Sequence, residues 1–209
     1  MNILVIAAHP DDEVLGMGGT IKKYSKLGHN VKIVIMATGI SSRRNIDYKN
    51  NFNYTLKNEF KPTIKKQISE LQNDSKKAAK ILGVTQIEFL DFPDNEMDLI
   101  SNLQVTKSIE KQINIFKPEI VFTHNSNDIN IDHNICFNAT LTATRPKKNS
   151  LIRKVFSYEV PSSTEWNFPS TYSPNVFVDI TKEISVKKKA LEAYKNEIQK
   201  FPHPRSTEA

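Results

Sequence analysis

The run Ile3-Leu4-Val5-Ile6-Ala7-Ala8 passes directly into His9-Pro10-Asp11-Asp12-Glu13, and this junction constrains the fold more than any other stretch of the chain. An apolar run without polar alternation reads as a strand covered on both faces, the habit of parallel sheets in α/β proteins. Pro10 has no N–H to give to a ladder and disfavours helix at the residue before it, so the strand ends there. One imidazole and two carboxylates then crowd the carboxyl end of that strand, where open α/β sheets bind their ligands. Taken singly, Asp11 or Asp12 is a helix cap and His9 an ordinary strand-end histidine. Taken together they are costly to leave unpaired, and a divalent metal is the simplest group that satisfies all of them.

Strands and helices continue to alternate. A helix is expected over roughly 14–28, with Gly18-Gly19 letting it pack close to the sheet. Gly16-x-Gly18-Gly19 begins too far past the strand, and with the wrong spacing, to be a dinucleotide fingerprint. Residues 31–38 read as a second strand. Residues 39–63 are polar, Asn-rich and without period, as in a functional lid or mobile loop. Arg43 and Arg44 lie in that stretch as candidate contacts for an anionic substrate group, against plain solvent exposure. A helix over about 65–82 closes at Gly83. The strand 87–90 then leads into Asp91-Phe92-Pro93-Asp94-Asn95, and a helix covers 102–116.

The fourth strand, Ile120-Val121-Phe122-Thr123, ends in His124-Asn125-Ser126-Asn127-Asp128-Ile129-Asn130-Ile131-Asp132-His133. Asp132 is expected to cap a helix running to about 145, which puts His133 in its first turn and within reach of the pocket of His9 and Asp12. Two histidines and one carboxylate form a recognised catalytic zinc set with a position left for water. Beyond residue 150 the rhythm loosens. Strands are expected at 155–160 and 176–179, around a loop whose Trp166 suits either stacking on a sugar or packing. A last helix, about 181–200, leads to Phe201-Pro202-His203-Pro204-Arg205-Ser206. The expectation is an α/β, Rossmann-like three-layer sandwich with a mostly parallel sheet flanked by helices, one domain over 1–209.

Composition excludes several alternatives. The single Cys136 rules out an internal disulfide or a cysteine-built zinc site and fits a reducing cytoplasm. No apolar run approaches the ~20 residues that cross a bilayer, and the N-terminal one lacks the basic lead-in of a signal peptide. The net charge of +6 invites a nucleic-acid reading. The lysines, however, are scattered over expected helix faces, and no nucleic-acid motif accompanies them. An anionic small-molecule substrate stays open.

These residues together resemble the PIG-L/LmbE-type N-deacetylases, zinc hydrolases that remove acetyl from N-acetylglucosamine-type groups. The resemblance spans nearly the whole chain. It is carried by Ala8-His9-Pro10-Asp11-Asp12-Glu13 with Gly18-Gly19, Ala79-x-x-Leu82-Gly83-Val84, Phe89-Leu90-x-Phe92-Pro93-Asp94 and Asp128-x-Asn130-x-Asp132-His133. It implies that His9, Asp12 and His133 hold Zn2+ or another divalent metal and that Asp11 is the general base. It also implies a substrate of the N-acetylated sugar or glycoconjugate class, for which Arg43, Arg44, Asp94 and Arg205 are the candidate contacts. The chemistry agrees: zinc acidifies a water toward pKa ~7 and polarises the acetamide carbonyl, while a carboxylate relays the proton to the leaving amine.

Two departures from the family pattern stand out. Where many members carry a histidine that steadies the oxyanion, this chain has Asn130, which donates only a neutral hydrogen bond. Asn130 itself, His203 or His124 is left to serve, with His203 favoured. His203 acts in its own pocket or in a neighbouring subunit's, so a homo-oligomer stays open. The chain also stops where relatives continue through another helical stretch, so a domain lacking that stretch is expected. The competing expectations are a non-catalytic sugar- or metal-binding relative and a zinc amidase for a non-sugar N-acyl substrate.

Overall fold

The computed structural model describes residues 1–40, 61–168 and 171–208. Arg43 and Arg44 lie outside the described residues. Strands and helices alternate along the chain: β1 (Asn2–Ala7), α1 (Asp12–Lys26), β2 (Asn30–Ala37), α2 (Lys61–Leu82), β3 (Gln86–Phe92), α3 (Asn102–Phe116), β4 (Ile120–His124), α4 (Ile131–Thr144), β5 (Lys154–Tyr158) and α5 (Ile184–Leu191). Single 3₁₀ turns interrupt the connections at Met97–Leu99 and Thr164–Trp166.

The strands form one parallel sheet in the spatial order β3-β2-β1-β4-β5. β1 lies at its centre and is buried from Ile3 onward. Successive side chains of a strand point to opposite faces. Ile3, Val5 and Ala7 therefore join the core shared with α1, α2 and α5, while Leu4, Ile6 and Ala8 join that of α3 and α4. This two-sided burial, about 1.5–3 kcal/mol for each large aliphatic side chain, explains why the N-terminal run shows no alternation. The result is three layers, as the sequence implies. Among the described residues no helix is long and apolar enough to cross a membrane.

Three local expectations need correction. Residues 176–179 make no ladder: Val176 and Phe177 are 54% and 80% exposed, and Ile180, just past the segment, packs against α1 instead. Among the described residues no strand lies beside this segment to receive its N–H and C=O groups. The last helix stops at Leu191 rather than near 200, because Ala193 and Tyr194 bond back to Ala190 and Leu191 in tight turns that carry Tyr194 into the core. Gly18-Gly19 do not face the sheet. A side chain at Gly19 would strike Ile180, and one at Gly18 would press on Lys187. The glycines therefore admit the C-terminal segment.

Candidate metal centre

β1 and β4 are neighbours with Val5 opposite Phe122. The chain winds from β1 through β2 to β3 and then returns past β1 to β4 and β5. The β1/β4 boundary is thus the switch point at which an open α/β sheet leaves a crevice beyond its strand ends. Both polar clusters open onto it.

The first cluster is shaped by its backbone. Asp11, the residue before α1, adopts φ 103° and ψ −27° and makes no side-chain cap bond. A non-glycine residue in that region costs about 1–3 kcal/mol. Its carbonyl accepts from Val14 and Leu15, so both carboxylates remain available to other groups. Asp12 Oδ2 accepts from the His9 amide at 2.8 Å. The same oxygen stands 3.3 Å from His9 Nδ1, 3.1 Å from His133 Nε2 and 3.6 Å from His124 Nε2.

Behind each imidazole sits a further carboxylate. His9 Nε2 lies 2.9 Å from Asp132 Oδ2 and 3.2 Å from Asp94 Oδ1. His133 Nδ1 lies 2.9 Å from Asp128 Oδ2. Asp132 is fixed by the Asn95 and Met97 amides, and Asp128 by the Ser163 and Thr164 hydroxyls and the Asn130 amide. A carboxylate behind a histidine, itself hydrogen-bonded, is the support that metal-ligating imidazoles usually have. Below them His124 is fully buried. It accepts from the Ala8 amide at 2.7 Å and stacks on the His133 ring with centroids 3.8 Å apart.

Among the described residues two overlapping groups can gather donor atoms within 4.8 Å of one another: His9, Asp12 and His133, and His9, Asp94 and Asp132. Their remaining valences separate them. Both oxygens of Asp132 already accept backbone N–H groups, whereas buried Asp12 Oδ1 has no hydrogen-bond partner among the described residues. The nitrogens of His133 face carboxylates at ion-pair distance but are poorly aligned for hydrogen bonds. An orphaned carboxylate oxygen beside two supported imidazoles fits a divalent cation, so His9, Asp12 and His133 are the better ligand set.

Electrostatics follow from burial and pairing. Burial would raise Asp12, but His133, His9 and His124 outweigh it and hold the carboxyl well below its usual range. Burial would lower His133, but Asp12 and Asp128 push it up to about 9. His9 is raised well above its ordinary value, because Asp12, Asp132 and Asp94 overcome its burial. Burial lifts Asp11 well above the carboxylate range against the pull of Arg205. Burial also carries Glu13 to about 7, although the Tyr194 hydroxyl donates to it.

A cavity of about 570 Å³ opens over the centre, lined among others by His9, Asn130, His133, His203 and Arg205. The structure therefore brings together residues from both strand ends and from the C-terminal arm. Asp94 is buried against His9. Asn130, not Asp132, caps α4: its Oδ1 accepts from the Asp132 amide at 2.9 Å, and its Nδ2 donates to Asn95 Oδ1 at 3.0 Å. Asp132 cannot cap because its side chain points inward to His9. His203 is exposed at the cavity rim, His124 is sealed beneath the centre, and Trp166 is 56% exposed. Sequence reasoning missed the supporting roles of Asp128 and Asp132. The available signal was a carboxylate one and five residues before His133, on a segment already suspected of holding a metal.

Residues 4–144 match the sequence model of the family described as GlcNAc-PI de-N-acetylase, PIG-L. The uncharacterized deacetylase YaiS of Escherichia coli is 28% identical over 202 residues, spanning 93% of this chain and 90% of that protein. The solved N,N'-diacetylchitobiose deacetylase of Pyrococcus horikoshii superposes with a TM-score of 0.69 at 25% identity, covering 93% of this chain and 69% of that one. GalB of Pseudomonas putida, a 4-carboxy-2-hydroxymuconate hydratase, superposes at 0.70 with 22% identity, over 92% of this chain and 78% of that one. At that identity the likeness extends to the fold alone, and the fold by itself does not select a reaction.

Proposed function

Since the chain belongs to the GlcNAc-PI de-N-acetylase family, PIG-L, we propose that it is a zinc-dependent hydrolase removing acetyl from an N-acetylated amino sugar or sugar conjugate. The single observation that carries this reading is the meeting of His9, Asp12 and His133, with both imidazoles lining the cavity and Asp11 adjoining Asp12 in the chain. A cation bound there supplies Lewis acidity toward the acetamide carbonyl and acidifies a water.

The chain's own residues do the rest. Asp132 and Asp128 hold the two imidazoles in orientation from behind. Asp11 takes the proton of the attacking water and later delivers it to the leaving amine, the usual two-way duty of such a carboxylate. Among the described residues its Oδ1 has no hydrogen-bond partner, so no other contact competes for that proton. His203, at the rim of the same cavity, donates to the developing oxyanion. Asn130 is the weaker donor, because its amide already holds Asn95 and the first turn of α4.

The test is metal analysis of the purified protein, together with acetate release from N-acetylglucosamine, diacetylchitobiose and larger N-acetylglucosamine conjugates, with N-acetyl amino acids as the contrasting panel. One equivalent of zinc and acetate from a sugar are expected. Acetate only from the amino acids would replace the sugar with another amide. Metal and sugar binding without acetate would make the chain a non-catalytic relative.

A further inference from the structure

The arm that follows α5 returns across the molecule and reaches the centre. Tyr194, fully buried, donates its hydroxyl to Glu13, whose other oxygen accepts from the Asp11 amide at 3.1 Å. Eleven residues on, Arg205 places Nη1 at 3.2 Å from Asp11 Oδ2 and at 3.3 Å from Glu197 Oε2, while its Nε donates to Ser162 Oγ at 3.4 Å. Asp11 Oδ2 is thus pinned by a guanidinium, and Oδ1 has no hydrogen-bond partner among the described residues. Arg205 lies outside the span 4–144 that matches the family model.

We propose that Arg205 is a positioning residue: by holding Oδ2 it fixes the orientation of the Asp11 carboxylate beside His9 and Asp12, and it does not itself bind substrate. The inference rests on the deacetylase reading for its kinetic arm only. A guanidinium already committed to two carboxylates and a hydroxyl has little left to offer an anionic substrate group. A carboxylate on a left-handed backbone, next to two other acids, needs an outside partner to stay in one rotamer. The planar fork of arginine suits that task; the point charge of lysine suits it only partly.

The experiment uses the full chain as Arg205→Gln, Arg205→Lys, Asp11→Asn and the double variant R205Q/D11N. With the best acetamido sugar of the panel, R205Q is expected to lower kcat by about 10²-fold, the scale of a misplaced reacting group, with KM within about threefold and bound metal unchanged. R205K, or guanidinium added to R205Q, recovers part of kcat. Melting temperatures give the arm that does not depend on activity: the double variant loses about 2–4 °C less than the two single losses together. A rise in KM with kcat intact would make Arg205 a substrate clamp and overturn the proposal, as would additive melting losses. If the wild type releases no acetate, the deacetylase reading has failed, and the melting cycle still decides whether the arm holds Asp11.

Discussion

Charge gathers at both ends of the sheet, and the two gatherings behave differently. At the carboxyl ends of β1 and β4, His9, Asp11, Asp12, Asp128, Asp132 and His133 are all buried. At the opposite end, near the starts of β4 and β5, Glu110 collects Lys107, Lys147 and Arg145 at 2.7, 2.6 and 3.4 Å. That cluster borders a cavity of about 390 Å³, but its cations are 43–64% exposed. Water and salt screen the second cluster, so each pair is worth little. The first is buried, so each group depends on a fixed partner or a metal. Burial, not the count of charges, turns such a cluster into a site.

The largest break in that comparison is expected at Asp11. Asp11→Asn should cost about 10²–10⁴-fold in acetate release with zinc still bound; turnover near wild type would remove Asp11 from the base role. Asp128→Asn, which leaves the three ligands intact, should weaken metal binding by about 10–100-fold, measured by competition with a chromophoric chelator. Retained affinity would reduce Asp128 to a loop brace. Stripping the metal with chelator should lower the melting temperature by about 5–10 °C, the shift for zinc held near a hundredfold above its dissociation constant, and readdition should restore it. Indifference to chelation would argue that these groups satisfy one another without a cation.

The smallest effect belongs to the exposed end. Glu110→Gln should change stability by no more than about 0.5 kcal/mol, and salt should erase the difference. Lys107 and Lys147 pull the Glu110 carboxyl toward about 2 from the 4.5 of the free residue, and solvent and salt screening on this exposed face leave only a small part of that shift as stability. A lowered folded value means that its contribution is present above pH 4.5 and fades as pH falls toward 2. A melting curve taken with and without the substitution across that window checks the sign.

Much of the buried end is legible along the chain because its ligands fall where apolar runs stop. His9 follows six apolar residues and a strand-ending proline waits behind it; His133 follows a strand and opens a helix. The supporting layer is harder to read. Asp132 looks like a helix cap until the fold turns it toward His9 and leaves Asn130 to cap α4. Val176–Asp179 looks like a strand, but a strand exists only where another lies beside it, and here the segment crosses to α1.

By itself the sequence determined the layered α/β class, the places where strands end and the three residues that gather around a shared point. These follow from local polarity and chain stiffness, which neighbours in sequence set. Only the tertiary structure decided which carboxylate stands behind which imidazole and that Arg205, nearly two hundred residues away, reaches Asp11 at 3.2 Å. Those contacts depend on how distant segments pack around a common crevice, and no local propensity encodes that.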